Sequence, residues 1–378
     1  LSAMTEEVAT LVLKDNILQT QAITIAEQQG PALLESQARL MHTLERRGLL
    51  DRAVEFLPSD KQLAELKAAR RGLTRPSLAV LMAYAKMELY RQLVESPLPD
   101  EAYFADDLKR YFPEAMRKDF ASAIAAHPLK REIVATVATN SLVNRAGITF
   151  FFDIAEDSAA STRDVVAASS LARDAFSLRA LWNEIETVVA TISAATQAEL
   201  YAASTRFLER VTVWLLRNKP LPLDIEATAK EMLPAIADME KHKLAIHSET
   251  TRGEAEKLAT RLKEQNVPEA LAEKIAGFKL MASAFDIVSI ARAAKAPATD
   301  VGKVYFTLGS RLGFGWMRAS GDRIAAATYW ERLALQALIG DLYDEQRRLV
   351  TAVLTDFESV DAWVEAHKDA LSRYDRFL

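Results

Sequence analysis

The chain has 378 residues, 50% apolar and 26% charged, and its 47 basic against 52 acidic side chains leave a formal charge of −5. That length exceeds one ordinary hydrophobic core, so two lobes are expected, and the acidic balance argues against a nucleic-acid binder, which needs a basic stripe to displace counterions. With no cysteine, disulfides, thiolate nucleophiles and cysteine-ligated zinc or iron–sulfur sites are excluded, and a cytoplasmic location is favoured.

No apolar run approaches the roughly 20 residues of a membrane span, and no signal peptide precedes Thr5. Leu1-Ser2-Ala3-Met4 is not a natural initiator context, and a cloning remnant or a cut within a longer protein would account for it. Thr5 is the expected cap of a first helix, with Glu6 and Glu7 in its first turn. That helix carries Val8, Leu11, Val12, Leu18 and Ile25 until Gly30 and Pro31 stop it. A second bears Leu33, Leu34, Met41 and Leu44 and ends at Gly48. Ser59 with Gln62 forms a capping box for a short third helix ending at Gly72. Thr74 and Pro76 open a fourth, striped by Leu78, Leu81, Met82, Ala85 and Leu89. The run Ser96-Pro97-Leu98-Pro99-Asp100 breaks the chain, and Pro113 and Pro128 mark later helix starts. The isolated pairs Arg46–Arg47 and Arg70–Arg71 read as basic last turns facing helix dipoles.

Leu129–Ile154 is the stretch around which the first lobe is organised. Its apolar residues (Ile133, Val134, Val137, Ala138, Leu142 and Val143 among them) cover nearly every side of a helical wheel, which predicts a central, covered helix that Gly147 interrupts or ends. Asn140 and Asn144 project within about 20° of the Ile133 line at 100° per residue. Two amides in that face need partners, because an unpaired buried amide costs roughly 1–3 kcal/mol. One turn apart, they are expected to bond each other and nearby backbone, with Arg145 on an adjacent face and Arg131 further round. Replacing Asn144 by Leu is then expected to destabilise.

From Gly147 to Gly253 there is no glycine, and from Pro128 to Pro220 no proline, so long helices are expected. Ser177 is read as the cap of Leu178–Glu186, and Leu200, Phe207, Leu208, Val211 and Leu215 continue a helix to Asn218. Glu254–Gln265 alternates charges at helical spacing and reads as a solvated face. Five glycines between Gly302 and Gly321 predict loops and helix ends. Tyr329 to Val353 predicts one long helix, and Val360, Trp363, Val364 and Leu371 a last amphipathic segment. ITFFF at Ile148 is the only tempting strand. The fold class is therefore all-α, with lobes at 1–155 and 156–378 joined near Ile154 to Thr162.

Catalytic signatures are sparse. None of His42, His127, His242, His247 and His367 stands in a di-iron or HExxH pattern. His242 and His247, near Asp238 and Glu240, are turned apart by their five-residue spacing and read as surface. Gly309-Ser-Arg-Leu-Gly313-Phe-Gly315 lacks either phosphate-loop spacing. Asp106 and Asp107 read as helix-terminus charge. No catalytic, cofactor-binding or metal residue is assigned. The polar set Arg131, Asn140, Asn144 and Arg145 is left as a core or partner-facing cluster.

Several stretches closely resemble the C-terminal helical region of the large bacterial NAD-specific glutamate dehydrogenases. They are MTEEVATLVLKDNILQTQAI at Met4, LERRGLLDRAVEFLPSD at Leu44, GLTRPSLAVLMAYAKMELY at Gly72, RYFPEAM at Arg110 and LKREIVATVATNSLVNRAGITF at Leu129. FSLRALWNEIE at Phe176, KVYFTLGSRLG at Lys303 and YWERLALQALIGDLYDEQRRL at Tyr329 match more loosely. The resemblance implies a parent that oxidatively deaminates L-glutamate to 2-oxoglutarate and ammonia with NAD, whose glutamate- and dinucleotide-binding domains come before this region. It carries no catalytic lysine, aspartate or cofactor glycine onto any position here. It implies an accessory domain for assembly or regulation, partnered by the catalytic domains of the same polypeptide in a homo-oligomer, with neither nucleic acid nor membrane. A free-standing interaction scaffold and a small-molecule sensor that holds its ligand at Asn140–Arg145 stay open beside it.

Overall fold

The computed structural model describes residues 2–247, 249–321, 323–324 and 328–375. The protein is 81% helical, with no strand among the described residues, so the all-α expectation is met. Two compact units are present: one runs to Ala229 and includes Leu262–Leu271, the other comprises Lys230–Arg261 and the residues from Ala272 onward.

The first unit opens with α1 (Ser2–Gln29), α2 (Leu34–Arg46), α3 (Asp60–Ala68) and α4 (Arg75–Glu95). Three short helices follow, α5 (Ala105–Tyr111), α6 (Glu114–Asp119) and α7 (Ala121–Ala125), then α8 (Lys130–Arg145) and α9 (Phe150–Ser158). It continues through α10 (Thr162–Ala175), α11 (Leu178–Thr187) and α12 (Ala194–Asn218). Next come α13 (Ile225–Ile246), α14 (Glu249–Glu264) and α15 (Glu269–Met281). The second unit holds α16 (Ala284–Ala294), α17 (Ala298–Arg311), α18 (Phe314–Gly321), α19 (Tyr329–Asp356), α20 (Val360–Ala366) and α21 (Lys368–Tyr374).

Local chemistry accounts for many of these boundaries. At α3, Ser59 and Gln62 cap each other: the Gln62 N–H donates to Ser59 Oγ and the Ser59 N–H to Gln62 Oε1. Gly48 (φ +67°) follows α2, and Gly147 (φ +117°) follows α8, sending its N–H to the Leu142 carbonyl at 3.2 Å; this left-handed exit is cheap only for glycine. The stretch Leu129–Ile154 is thus two helices, and ITFFF enters α9 rather than a strand. Thr5 lies inside α1 instead of capping it. Thr74 precedes α4 but bonds the Ser77 hydroxyl at 3.0 Å, not a backbone N–H.

The segment without glycine or proline ends in a long helix as expected, the 25-residue α12 that closes at Asn218, but its first part is more broken than its composition predicts. α9, α10 and α11 have only 9, 14 and 10 residues. Ala159 (φ +52°) and Ser177 (φ +51°) make the turns, so Ser177 is a left-handed corner and forms no capping bond. The join expected near Ile154–Thr162 falls on the α9–α10 turn, inside the first unit, where both helices pack on α12.

α8 lies centrally in that unit, packed against α1, α4, α5 and α9. Leu78, Leu81, Leu89 and Leu93 of α4, Met41 and Leu44 of α2, and Trp182 of α11 are fully buried in the same unit. In the second unit α16, α17 and α19 pack on one another. The glycine cluster there is mostly helical: Gly302 and Gly309 lie in α17, Gly315 and Gly321 in α18, and Gly313 (φ +69°) alone makes a left-handed turn. A Cβ on Gly309 would come within 2.5 Å of Gln346 Nε2. Close approach of α17 and α19 is therefore what glycine serves there. Among the described residues no helix is long and apolar enough to cross a membrane.

Candidate functional site

The four polar residues of α8 face different partners. Arg131, near its start, donates from Nη2 to the carbonyls of Val94 (2.7 Å) and Ser96 (2.8 Å) and pairs with Asp100. It ties down the C-terminal carbonyls of α4, where the helix dipole favours a cation. Asn140 is half-buried, and its Oδ1 accepts from Lys86 Nζ of α4 at 2.9 Å. Burial pushes the Lys86 ammonium down to about 8, with Asp15 of α1 pulling the other way.

Asn144 is 3% exposed, and neither of its amide atoms has a hydrogen-bond partner among the described residues. The expected bond between Asn140 and Asn144 is not formed. An α-helix projects both side chains along one line, but Asn140 leans to α4 while Asn144 is buried with its amide unpartnered.

Arg145 makes the most extensive contacts. Its Nε and Nη2 donate to Glu186 Oε1 at 3.1 and 2.9 Å, and Nη2 also reaches Asn183 Oδ1 at 3.2 Å. Its guanidinium carbon lies 5.7 Å from the Trp182 ring centroid. From α1, Lys14 Nζ meets Glu186 Oε2 at 3.1 Å and Asn183 Oδ1 at 3.2 Å. One carboxylate thereby joins α1, α8 and α11. Beneath it the Trp182 indole N–H donates to Ser204 Oγ (3.1 Å), and Gln21 Nε2 donates to Tyr201 Oη (3.2 Å). Burial, with Glu186 assisting, pushes the Tyr201 phenol well up, which keeps it neutral.

A second charged set was not legible as such. Asp107, read from the sequence as helix-end charge, is 3% exposed and meets Arg110 (2.6 Å), Arg179 (2.8 Å) and Arg173 (3.6 Å). Burial works to raise its carboxyl, but the three guanidiniums outweigh it and hold the group below the usual carboxylate range. Arg163 similarly grips Glu101 through two bonds of 2.6 and 2.7 Å. Local spacing could have flagged only the i, i+3 pair Asp107–Arg110; its other partners lie on α10 and α11.

The histidines have separate duties. His242 Nδ1 lies 2.9 Å from the Asp238 carbonyl, while His247 Nε2 lies 2.7 Å from the Leu280 carbonyl with its ring 3.9 Å from that of Phe306. No group of three or more His, Asp or Glu among the described residues is arranged to hold a metal ion. What these arrangements do chemically is clamp helices: the charges meet an opposite charge or a helix end, except Lys86, which meets the Asn140 amide, and among the residues described above no nucleophile is paired with a base.

Residues 70–378 match the family model described as glutamate dehydrogenase, C-terminal. The chain belongs to this family. It is 34% identical over 382 residues to the NAD-specific glutamate dehydrogenase of Pseudomonas aeruginosa, covering 99% of this chain and 24% of that protein. The protein of the same description from Halomonas elongata is 31% identical, over 100% of this chain and 24% of its own length. That from Mycobacterium tuberculosis is 35% identical, over 94% and 22%. The chain therefore spans about a quarter of the length of the curated relatives it matches. Membership in the family covers both compact units, since the matched residues run from α4 into α21.

Proposed function

We propose that this chain is the C-terminal accessory region of an NAD-dependent glutamate dehydrogenase. The whole polypeptide would convert L-glutamate, NAD and water to 2-oxoglutarate, ammonia and NADH in the cytoplasm. The observation that carries this reading is the match itself: it runs along nearly all of this chain but only about a quarter of relatives described as NAD-specific glutamate dehydrogenases. The role read here is assembly, with the catalytic domains of the same polypeptide and further copies of it as partners. Two features support that role. The clamp of Lys14, Arg145 and Glu186 holds α1 in one position, and α1 leaves Val12, Leu13 and Ile17 more than half exposed, an apolar surface of the kind that partners cover.

The test is to delete these residues from the parent enzyme. Sedimentation and glutamate-dependent NADH formation are then compared with the intact protein. Loss of the native oligomer, with or without loss of turnover, is the expected result; a truncated enzyme that keeps both would refute the assembly role. The isolated chain is expected to bind no NAD in a calorimetric titration, and saturable micromolar binding would overturn that part of the reading.

A further inference from the structure

In the first unit a pocket of about 350 Å³ opens beside α2 and α9, with Gln92 of α4 and Thr162 of α10 on its wall. That volume lies at the lower end of small-molecule sites, which run to roughly 300–1,000 Å³. Its lining combines three features that helix packing by itself does not require.

The first is a cationic end. Arg46 and Arg47 close α2. Arg47 meets the buried Glu88 at 2.7 Å, a carboxylate also held by Arg91 at 2.9 Å. Arg46 is exposed and donates to the Thr43 hydroxyl at 3.0 Å, with no carboxylate in ion-pair reach among the described residues. The second is an anionic end. Arg39 is shared by Asp153 and by Glu156 (3.3 Å), so one guanidinium faces two carboxylates, and the Glu156 side chain remains 42% exposed. The third is an apolar floor from Leu40, Phe152 and Ala155. Arg39 and Arg46 are seven residues apart on one helix, which separates the two ends by about 10 Å along its axis. A basic last turn satisfying the α2 dipole accounts for Arg46 alone; it does not account for the two carboxylates beside Arg39 or for the apolar part of the lining.

We propose that this pocket binds a small zwitterion whose charges sit at opposite ends of a short carbon chain. Its carboxylate is received by Arg46 and Arg47, its cationic nitrogen by Glu156, and its methylenes lie over Leu40, Phe152 and Ala155. Bidentate guanidinium–carboxylate pairing supplies orientation at one end, and charge complementarity at the other excludes simple anions. The site is independent of the parent's activity, so its test needs only this chain.

The probes are γ-aminobutyrate, δ-aminovalerate and ε-aminocaproate, titrated calorimetrically, with hexanoate and hexylammonium as single-charge controls. Saturable binding should strengthen with chain length, and ε-aminocaproate should bind at least about tenfold more tightly than either control. Arg46→Ala and Glu156→Gln should each weaken it at least about tenfold, with unchanged circular dichroism and a cooperative melt in the absence of ligand. Three results would overturn the proposal: no saturable binding by any probe, hexanoate binding as tightly as the zwitterion (a plain anion site), or variants that bind as the wild type does.

Discussion

Lys86 of α4 and Asn140 of α8 are joined by a 2.9 Å bond, Nζ donating to Oδ1, in a half-buried seam where the ammonium is largely stripped of water. Burial lowers the Lys86 pKa from 10.5 to about 8, and Asp15 only partly opposes it. The folded state thus releases this proton more readily than the unfolded chain. Between about pH 8 and 10 the unfolded chain holds more protons, so this group's contribution to stability rises with pH across that window. Below about pH 8 both states are protonated and the cost of burying the charge is constant. NMR titration of isotopically methylated lysines should show one resonance, missing in Lys86→Arg, that titrates near pH 8. A Lys86 signal that titrates near the free-lysine value of about 10.4 would mean that the side chain is hydrated.

For Asn144 the structure reverses the sign expected from sequence. The amide is buried with both polar atoms unpartnered, so replacing it by Leu strands no former partner and removes an unpaired amide that costs roughly 1–3 kcal/mol. Leu is close in volume, which keeps overpacking small. Asn144→Leu should therefore melt at or above the temperature of the surface control Glu256→Leu in calorimetry. A melt several degrees below the control would reveal a partner for the amide.

Asp107 should behave in the opposite way. Its carboxylate lies between Arg110, Arg173 and Arg179, and Asp107→Asn takes the anion from Arg110 and Arg179, while Arg173 keeps Asp174 at 2.8 Å. Removing one member of a buried pair typically costs about 3–5 kcal/mol. The pKa of Asp107 is lowered on folding. Its contribution is thus complete above the unfolded value, about 3.9, and is lost as pH falls through the lower folded value. The melting gap between wild type and Asp107→Asn should be constant above about pH 5 and close in stronger acid. A gap independent of pH would place the loss in packing rather than charge.

How much of this was legible follows from the range of each interaction. Gly48, Gly147 and the Ser59–Gln62 box act within a few residues, and those helix boundaries are readable from spacing. Ala159 and Ser177 turn the chain in left-handed conformations that no local residue type announces, so the part of the glycine-free run before α12 looked longer-helixed than it is, whereas α12 and α13 are as long as expected. Gly302 and Gly309 carried the wrong inference for a related reason. A glycine needed for close approach to another element looks, in sequence, like one needed for a turn. The α8 polar set was visible residue by residue, but its partners were not: Glu186 is 41 residues from Arg145 and Lys86 is 54 from Asn140. Contacts of that range have no spacing signature.

Gly72 provides the sharpest test of the first unit's backbone packing. It follows α3, and a Cβ built on it would lie 2.6 Å from Gly30 Cα and 2.8 Å from Gly30 carbonyl carbon. Both atoms are backbone, held by the α1–α2 turn in which Gly30 itself takes φ +36°. No flexible side-chain end is available to move aside. Gly72→Ala should then force the two segments apart and cost about 1–3 kcal/mol, the range for overpacking. Gly253 inside α14 is the matched control, because nothing lies within 4 Å of the Cβ it would gain. There the change to Ala should stabilise by about 0.5–1 kcal/mol through helix propensity. Calorimetric melts of the two variants should move in opposite directions. If Gly72→Ala melts with the wild type, Gly30 and Gly72 do not pack backbone against backbone.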